Sequence, residues 1–119
     1  MSYRERILSI DDIVLRYHVD LVRDFNRGAV QLHVMHHACE SAVHGAAMID
    51  ELARHGHRLS PGTLYPMLHR LQAAGLLTSE PVVVEGRQRR LYRATREGRR
   101  AFRACREALR ELATEVLGT

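Results

Sequence analysis

Apolar residues recur along most of the chain with the spacing of amphipathic helices. Steps of three and four residues separate the apolar positions of the first segment, which are Ile10, Val14, Tyr17, Leu21 and Phe25. This period predicts a helix over about residues 9–25. Arg27-Gly28 interrupts the pattern, and the following apolar positions predict a second helix over about 29–39 and a third over about 44–54.

A fourth helix is predicted to begin after Ser60, because Ser is a favoured N-cap and Pro61 suits the first helical position. Its buried face is marked by Leu64, Leu68 and Leu71. Pro66 conflicts with the pattern, since its nitrogen cannot donate to the carbonyl four residues earlier, and an irregular first turn is expected. Gly75 ends the helix.

Two segments with strand character follow, over about 76–84 and 88–94, and Glu85-Gly86 joins them. This arrangement predicts a β-hairpin, in which Pro81 places at least part of the first strand at an edge. Thr95 then caps a last helix that reaches about Leu117. The apolar positions of this helix step by three and four residues, the seam of a helix that packs on another helix: Phe102, Cys105, Leu109, Leu112 and Val116.

The order of these elements predicts a mostly α-helical chain with a small β-hairpin, the architecture of a winged helix-turn-helix. A length of 119 residues suits one domain. We divide the chain into an N-terminal helical extension over 1–26, a winged helix-turn-helix over 27–95 and a C-terminal helix over 96–119. The two flanking segments are expected to serve dimerisation, because the small helices between them cannot cover both apolar seams.

Composition excludes several classes of protein. A hydrophobic fraction of 45% argues against intrinsic disorder, and the apolar stretches fall short of the roughly 18 residues that span a bilayer. Two Cys far apart in sequence form no disulfide framework, so the cytoplasm is the expected compartment. No catalytic triad, phosphate loop or zinc-protease motif stands out, and we expect that the protein is not an enzyme.

All 18 cations of the chain are Arg, and they are unevenly placed. Residues 1–56 carry six Arg and eight acidic residues, a net charge of −2, whereas residues 87–110 carry ten Arg and two acidic residues, a net charge of +8. Such an excess attracts polyanions, because each neutralised phosphate releases a counterion. The alternatives are a solvated surface, or a module that binds nucleic acid without base selection or binds an acidic protein.

A winged helix-turn-helix with these residues is suited to double-stranded DNA. The major groove admits one helix, and the base edges there carry a distinct pattern of donors and acceptors. The outer face of the fourth helix is expected to present Thr63, Tyr65, Pro66, His69, Arg70 and Gln72. The Arg residues of a hairpin tip, or wing, can reach phosphates or a narrow minor groove. That tip holds Arg87, Gln88, Arg89 and Arg90.

Two stretches of the sequence resemble the PadR family of bacterial transcriptional regulators. The first is SPGTLYPMLHRL from Ser60 to Leu71, followed by Gly75-Leu76-Leu77. The second is GRQRRLYRAT from Gly86 to Thr95, followed by Gly98-Arg99-Arg100. The resemblance spans about residues 27–117, and the single last helix resembles that of the shorter members of the family.

The resemblance implies a homodimeric winged-helix repressor that binds an operator near its target genes and is released by a small molecule or another stress signal. In the family, the positions of Thr63 and Tyr65 and the basic wing approach DNA. Two-fold symmetry then predicts an inverted-repeat operator with half-sites one helical turn apart, ~34 Å. The residues assigned to DNA binding are Ser60, Gly62, Thr63, Tyr65, Pro66, His69, Arg70, Arg87, Arg89 and Arg90.

The chain departs from the family pattern in features that bear on the effector rather than on DNA binding. Ala46 stands where the family often has an aromatic residue, and His37 stands where a large aliphatic residue is usual. An N-terminal helical segment of about 25 residues is additional. The chain has no Trp that could stack on a flat aromatic drug.

Eight His occur in the chain, and three of them are close together. His33, His36 and His37 stand at i, i+3 and i+4, so His33 lies beside both others on a helix surface. Imidazoles at this spacing suit zinc, nickel or copper, and a metal-responsive repressor with a divalent transition metal as cofactor is an alternative function. Helix histidines without a metal are favoured, because no carboxylate or thiol completes a ligand set in the local sequence. A pH response is a third hypothesis.

The aromatic and Cys residues have structural interpretations beside functional ones. Tyr17, Phe25 and Phe102 are expected in the core, and the alternative is an effector pocket between the terminal helices of a dimer. Cys39 and Cys105 are expected to be buried apolar residues, and a redox switch is the alternative, which would require a lowered thiol pKa.

Three further His outside the DNA-binding helix are expected at structural or surface positions. His44 is expected to begin a helix beside Gly45. His55 and His57 flank Gly56 and are expected to be solvated.

Overall fold

The computed structural model describes residues 9–118; residues 1–8 and Thr119 lie outside the described part, so part of the expected N-terminal extension does as well. In chain order the elements are α1 (Ile10–Glu40), β1 (Val43–His44), α2 (Gly45–Arg54), α3 (Pro61–Ala73), β2 (Leu77–Val84), β3 (Arg87–Ala94) and α4 (Arg96–Leu117). Helices α2 and α3 form the helix-turn-helix, and β2 and β3 form the wing. The predicted class, mostly helical with a small antiparallel β-structure, is confirmed.

The first helix is longer than its sequence pattern predicts. α1 runs for 31 residues, and the expected break at Arg27-Gly28 is wrong. A glycine inside a helix costs only about 1 kcal/mol relative to Ala, which the packing of the C-terminal part of α1 outweighs. A capping box begins the helix, since Ser9 Oγ accepts from the Asp12 nitrogen at 3.1 Å. α1 crosses the boundary expected at residues 26 and 27 without interruption.

A third strand joins the predicted hairpin. The sheet has the antiparallel order β1-β3-β2, in which Val43 pairs with Tyr92 and Pro81 pairs with Arg90. β1 lies where the second and third predicted helices meet, and its two residues are too few for the alternating pattern that would predict a strand. β2 lies at the edge of the sheet, as Pro81 predicts, because an edge strand has one side without ladder hydrogen bonds.

Helix α3 continues through Pro66 without a break, so Pro66 does not interrupt the first turns as expected. The carbonyl of Ser60 accepts from the nitrogens of both Thr63 and Leu64, each at 3.0 Å. Ser60 occupies the N-cap position as predicted, but its side chain makes no capping hydrogen bond. Its Oγ lies 3.3 Å from Thr63 Oγ1 instead.

The core lies between the C-terminal part of α1, the helix-turn-helix and the sheet. Its largest fully buried side chains are Val34, Met48, Leu52, Leu64, Leu68, Leu77 and Tyr92. The N-terminal part of α1 and the C-terminal part of α4 stay outside this core, with Ile10 76% exposed and Val116 68% exposed. Their apolar faces are therefore not covered by any other part of residues 9–118.

The start of α4 is fixed to the turn that follows α3. Thr95 donates from its nitrogen to the Leu76 carbonyl at 3.1 Å and from Oγ1 to the Gly75 carbonyl at 2.6 Å. The same Oγ1 accepts from the Gly98 nitrogen at 3.0 Å, which confirms Thr95 as the predicted cap. These bonds connect the outward-running helix to the domain that carries α3 and the wing.

Candidate nucleic-acid interface

The side of α3 that faces away from the core is polar and exposed. Leu64, Met67 and Leu68 occupy the buried side. The exposed side offers a hydroxyl, an imidazole, a guanidinium and an amide, together with the Pro66 ring, from Thr63, Pro66, His69, Arg70 and Gln72. Such groups can bind base edges or phosphates when a helix enters the major groove.

Tyr65 does not share this outer face, and the expectation that it does is wrong. The side chain is half-buried and packs against the core. Its ring lies over the start of α2, so close that a Cβ at Gly45 would come within 2.6 Å of two ring carbons. The reason is helical geometry, because position 65 lies one turn before Leu68 and thus beside the buried stripe. Gly45 makes room for this contact between α2 and α3.

Substitution of Tyr65 tests its contact with α2. Tyr65→Ala is expected to lower the free energy of unfolding by about 2–3 kcal/mol, because loss of a half-buried ring leaves a cavity beside Gly45. Tyr65→Phe keeps the ring and is expected to stay within about 1 kcal/mol of the original chain. Urea unfolding followed by circular dichroism measures both. Equal losses in the two variants would assign the effect to the hydroxyl instead of ring packing.

The wing turns at Glu85-Gly86, where both residues have positive φ, 51° and 75°. Positive φ at both central residues is the geometry of a tight hairpin turn whose twist matches the strands. Arg87 and Arg90 are exposed, and Arg89 is half-buried. The predicted basic tip is thus present on the surface.

Arg90 is linked to α3, the recognition helix of the helix-turn-helix, by a chain of two hydrogen bonds, called here the polar relay, that the sequence does not predict. Its Nε donates to Ser79 Oγ at 3.0 Å, and Ser79 Oγ donates to Gln72 Oε1 at 2.6 Å. No sequence pattern identifies Ser79 as a link between the wing and α3, because its contacts depend on the angle at which the two elements meet. The relay fixes that angle and leaves Arg87 and Arg89 as the wing cations that are free to reach a phosphate.

Ion pairs neutralise some of the Arg residues between positions 87 and 110. On α4, Arg100 pairs with Glu97 at 3.3 Å and Arg110 pairs with Glu107 at 2.6 Å. Within residues 9–118, no carboxylate lies within ion-pair distance of Arg87 or Arg89. Uncompensated positive charge therefore lies on the wing, next to α3, and also on α4, at Arg96, Arg103 and Arg106.

Five imidazole rings cluster where α1 meets the connection between α2 and α3. The ring centre of His33 lies 4.8 Å from that of His37, 4.9 Å from that of His55 and 5.5 Å from that of His57. The ring of His36 belongs to the cluster through its contact with His37, with 5.0 Å between the two ring centres. The structure thus brings the predicted trio together and adds two residues expected to be solvated. That expectation is wrong for half-buried His57, while the His55 side chain is 55% exposed.

Carboxylates flank this cluster, contrary to the expectation that none completes a ligand set. Glu40 Oε1 lies 3.3 Å from His36 Nε2, one helical turn away. Glu51 of α2 lies 3.9 Å from His37 Nε2 and 3.4 Å from His55 Nε2. His37 Nε2 is buried without a hydrogen-bond partner, a condition that costs roughly 1–3 kcal/mol.

Burial is the main influence on the titration of two of these His. It lowers the pKa of His33 below 6.5, and the charges of the neighbouring imidazoles add to the effect. Burial and His36 likewise lower the pKa of His37, against a smaller opposing influence of Glu51 and Glu40. Both rings therefore favour the neutral form in the folded chain.

Metal-free protein is expected to lose stability as the pH falls. The pKa of His33 and His37 is lower in the folded chain than in the unfolded chain. Their contribution to the free energy of unfolding is therefore complete above about pH 6.5 and is lost as the pH falls through the folded pKa. Urea unfolding with a chelator present, from about pH 7.5 to about pH 5, measures this loss. The double variant His33→Gln, His37→Gln is expected to show a flatter dependence. A dependence as steep as that of the original chain would assign the loss to other groups.

An apolar groove of about 930 Å³ lies between α1 and α4. Phe25 and Phe102 line it, and Tyr17 does not. Phe102 packs against the core as expected. The expectation that Tyr17 and Phe25 belong to the core is wrong, because no residue within 9–118 covers the N-terminal part of α1. The structure therefore brings together two of the three residues expected to bind an effector.

The two Cys have different environments. Cys105 is exposed at the groove, so its expected burial is wrong for the single chain. Cys39 is half-buried, and burial raises the pKa of its thiol against a smaller lowering by Arg99 and Arg103. A raised pKa keeps Cys39 as the thiol, the less reactive form.

A helix-turn-helix with a polar outer face and an Arg-tipped wing beside it define a winged-helix DNA-binding protein. The family model described as the transcriptional regulator PadR-like family matches residues 34–104. The chain belongs to this family of transcriptional regulators. Its members are DNA-binding regulators and not enzymes.

Individual relatives agree with this assignment. The chain is similar to the transcriptional regulator Rv3488 of Mycobacterium tuberculosis, with 62% identity over 97 residues, 82% of this chain and 91% of that protein. Among solved structures it is similar to a PadR family transcriptional regulator from Eggerthella lenta, with 34% identity, a TM-score of 0.72 and coverage of 89% of this chain and 90% of that one. A PadR-like transcriptional regulator from Bacillus cereus, 22% identical, shares the fold with a TM-score of 0.71 over 77% of this chain and 91% of that one. None of the helices between residues 9 and 118 has the length and apolar character needed to cross a membrane.

Proposed function

We propose that the protein is a homodimeric, sequence-specific repressor that binds an inverted-repeat operator in the cytoplasm and is released by a small-molecule or stress signal. The observation that carries this proposal is a continuous exposed surface, in which the polar side of α3 lies next to the unpaired cations of the wing. A helix can read base edges in the major groove while the wing neutralises phosphates alongside.

The start of α3 is suited to a phosphate. Ser60, Gly62 and Thr63 are exposed there, and the first turn of a helix presents backbone N–H groups and the positive end of its dipole. His69 and Arg70 lie further along the same side and are positioned for base edges. Tyr65 serves the interface by holding α3 on α2.

Two copies of the chain provide the symmetry that an inverted repeat requires. The uncovered apolar faces of α1 and α4 are the surfaces that pairing would bury. The groove with Phe25 and Phe102 lies between these helices, so an effector bound there would change the spacing of the two α3 helices. Such a change would release the operator.

A mobility-shift titration tests sequence-specific binding. The labelled fragment is the intergenic DNA next to the protein's own gene, and the competitors are the same fragment and random-sequence DNA of equal length. Self-competition is expected to be at least about a thousandfold more effective than random competition, at the lower end of the range of specific regulators. Equal displacement by both competitors would overturn the proposal and favour a non-specific module.

The double variant Arg87→Ala, Arg89→Ala is expected to weaken binding to all DNA sequences. Each wing that contacts DNA would lose about two phosphate contacts, so the slope of log K against log salt should become shallower by about two per wing. Titrations at several salt concentrations measure this slope for the operator and for random DNA. Arg23→Ala, at a cation paired with Asp20 on α1, is the control and should leave the slope unchanged. A double variant with the original slope would remove the wing from the interface.

A further inference from the structure

A cluster of imidazoles and carboxylates outside the DNA-binding surface lies where the end of α1 packs against α2. We propose that His36, His37 and Glu40 of α1, together with Glu51 of α2, bind one divalent transition-metal ion of the zinc type. The ion would connect α1, which lines the groove, with α2, which supports the recognition helix. Metal binding itself is independent of the function proposed above, and only its effect on DNA affinity rests on that function.

Three ligand atoms already converge on one place. A ring nitrogen from each of His36 and His37 and a carboxylate oxygen of Glu40 all lie within 4.8 Å of one another. Ligand atoms on a tetrahedral zinc at about 2.1 Å are roughly 3.4 Å apart. Small side-chain rotations close this difference, so the backbone of α1 can stay in place.

The fourth ligand comes from the neighbouring helix. His37 Nε2 is buried without a hydrogen-bond partner and lies 3.9 Å from Glu51 Oε1. That separation is too long for a hydrogen bond, but it accommodates an ion that both atoms bind. An ion at this position would give Nε2 the partner that it lacks.

The surrounding rings hold the central imidazole in place. The ring of His33 stacks on that of His37 with an angle of 26° between the planes, and His55 contacts both His33 and Glu51. Such contacts restrict the rotation of a ligating imidazole, which raises metal affinity. Two imidazoles with two carboxylates suit zinc, cobalt or nickel, whereas magnesium and calcium prefer oxygen ligands alone and copper(I) prefers sulfur.

The position of the ion predicts an effect on DNA binding. α2 packs against α3 through the contact of Tyr65 with Gly45. An ion that connects α1 with α2 would therefore affect the position of α2, which supports the recognition helix. The operator Kd is expected to change by about fivefold or more when zinc binds, in the usual range of coupling between two sites.

Calorimetric titration of the chelator-treated full chain with Zn²⁺ alone tests the site. One ion per chain is expected to bind with a Kd below about 10 μM, and Co²⁺ should give the intense visible absorption of a tetrahedral site. The variants His37→Gln and Glu51→Gln should each bind zinc at least about tenfold more weakly. His18→Gln removes an exposed His from the same helix outside the cluster and is the matched control, expected to bind as the original chain does.

Circular dichroism establishes that each variant is folded, and Glu40→Gln replaces any variant that is not. A Kd weaker than about 10 μM for the original chain would overturn the site, as would unchanged zinc affinity in the Glu51→Gln and His37→Gln variants. An affinity lost in His18→Gln to the same extent would also overturn it.

Mobility shifts with and without zinc then separate this proposal from the function proposed above. An operator Kd that zinc changes in the original chain and leaves constant in His37→Gln supports the regulatory effect, and a Kd that zinc leaves unchanged overturns it. Failure of the zinc titration with operator binding intact would overturn the metal site alone. Zinc binding without any preference for the operator would overturn the DNA-binding function alone.

Discussion

Gly98→Ala is expected to destabilise the protein by about 3 kcal/mol or more, at the upper end of the cost of overpacking a core. Gly98 is buried in the first turn of α4, and a Cβ there would overlap the carbonyl oxygen of Leu76 and come 3.0 Å from Met35 Cε. The helix cannot move away without loss of the two hydrogen bonds from Thr95 to the Leu76 and Gly75 carbonyls. A backbone carbonyl, unlike the end of a flexible side chain, has little freedom to yield.

Thermal unfolding measures the effect, and a midpoint lower by roughly 10 °C or more is expected for a chain of this size. Gly62→Ala is the matched control, because the nearest atom to its added Cβ is Ser60 Oγ at 3.7 Å and the position is exposed. The control should stay within about 1 kcal/mol of the original chain. A Gly98→Ala variant that unfolds at the original temperature would show that α4 is not fixed against the turn after α3.

The close contact at Gly98 also bears on function. It fixes the direction in which α4 leaves the domain that carries α3 and the wing. If α4 pairs with its counterpart in a second copy, the same contact sets the distance between the two recognition helices. A rigid connection of this kind is what an operator with fixed half-site spacing requires.

The sequence predicted those elements whose signals are local and repeated. Leu64, Leu68 and Leu71 are all buried at helical spacing, and Thr95 caps α4 with the hydrogen bond expected of it. Glu85-Gly86 likewise supplies the positive φ angles that a tight hairpin turn needs. In each case neighbouring residues favour the same conformation, so no tertiary contact was needed to predict it.

The errors arise where tertiary contacts decide the outcome. Gly28 weakens the helix pattern, yet α1 continues because its later part is packed in the core. β1 has only two residues and exists through its pairing with β3. Tyr65 lies at the margin of the buried stripe of α3, where periodicity alone does not distinguish the two sides, and its contact with Gly45 decides the question.

The candidate sites show the same division. The Arg-rich wing and the polar face of α3 follow from composition and period, and the His trio follows from helical spacing. The additions come from elsewhere in the chain, since Glu51 and His55 reach the trio only after α2 packs against α1. Ser79 joins Arg90 to Gln72 only because the wing folds back towards α3. Contacts between elements of this kind leave no trace in the spacing of residues along one segment.

The double variant Leu109→Glu, Leu112→Glu is expected to abolish dimerisation and to weaken operator binding by about a hundredfold or more. Both leucines line the groove between α1 and α4 and are about half exposed in the single chain, at 48% and 50%. If this face pairs two copies, the substitutions would bury four carboxylates without partners at the interface, which is strongly unfavourable. A monomer would then bind each half-site separately and lose the gain in effective concentration that a linked pair provides.

Light scattering after size-exclusion chromatography measures the mass, and mobility shifts with the operator measure the affinity. Ala104→Glu is the control, since it introduces the same charge on an exposed position of α4 that does not line the groove. The control should remain a dimer and bind the operator as the original chain does. The double variant should keep its circular dichroism spectrum, because neither leucine belongs to the buried core. A double variant that is still a dimer with the original affinity would place the dimer interface on another surface, and an effector in the groove could then no longer act by changing the spacing of the two recognition helices.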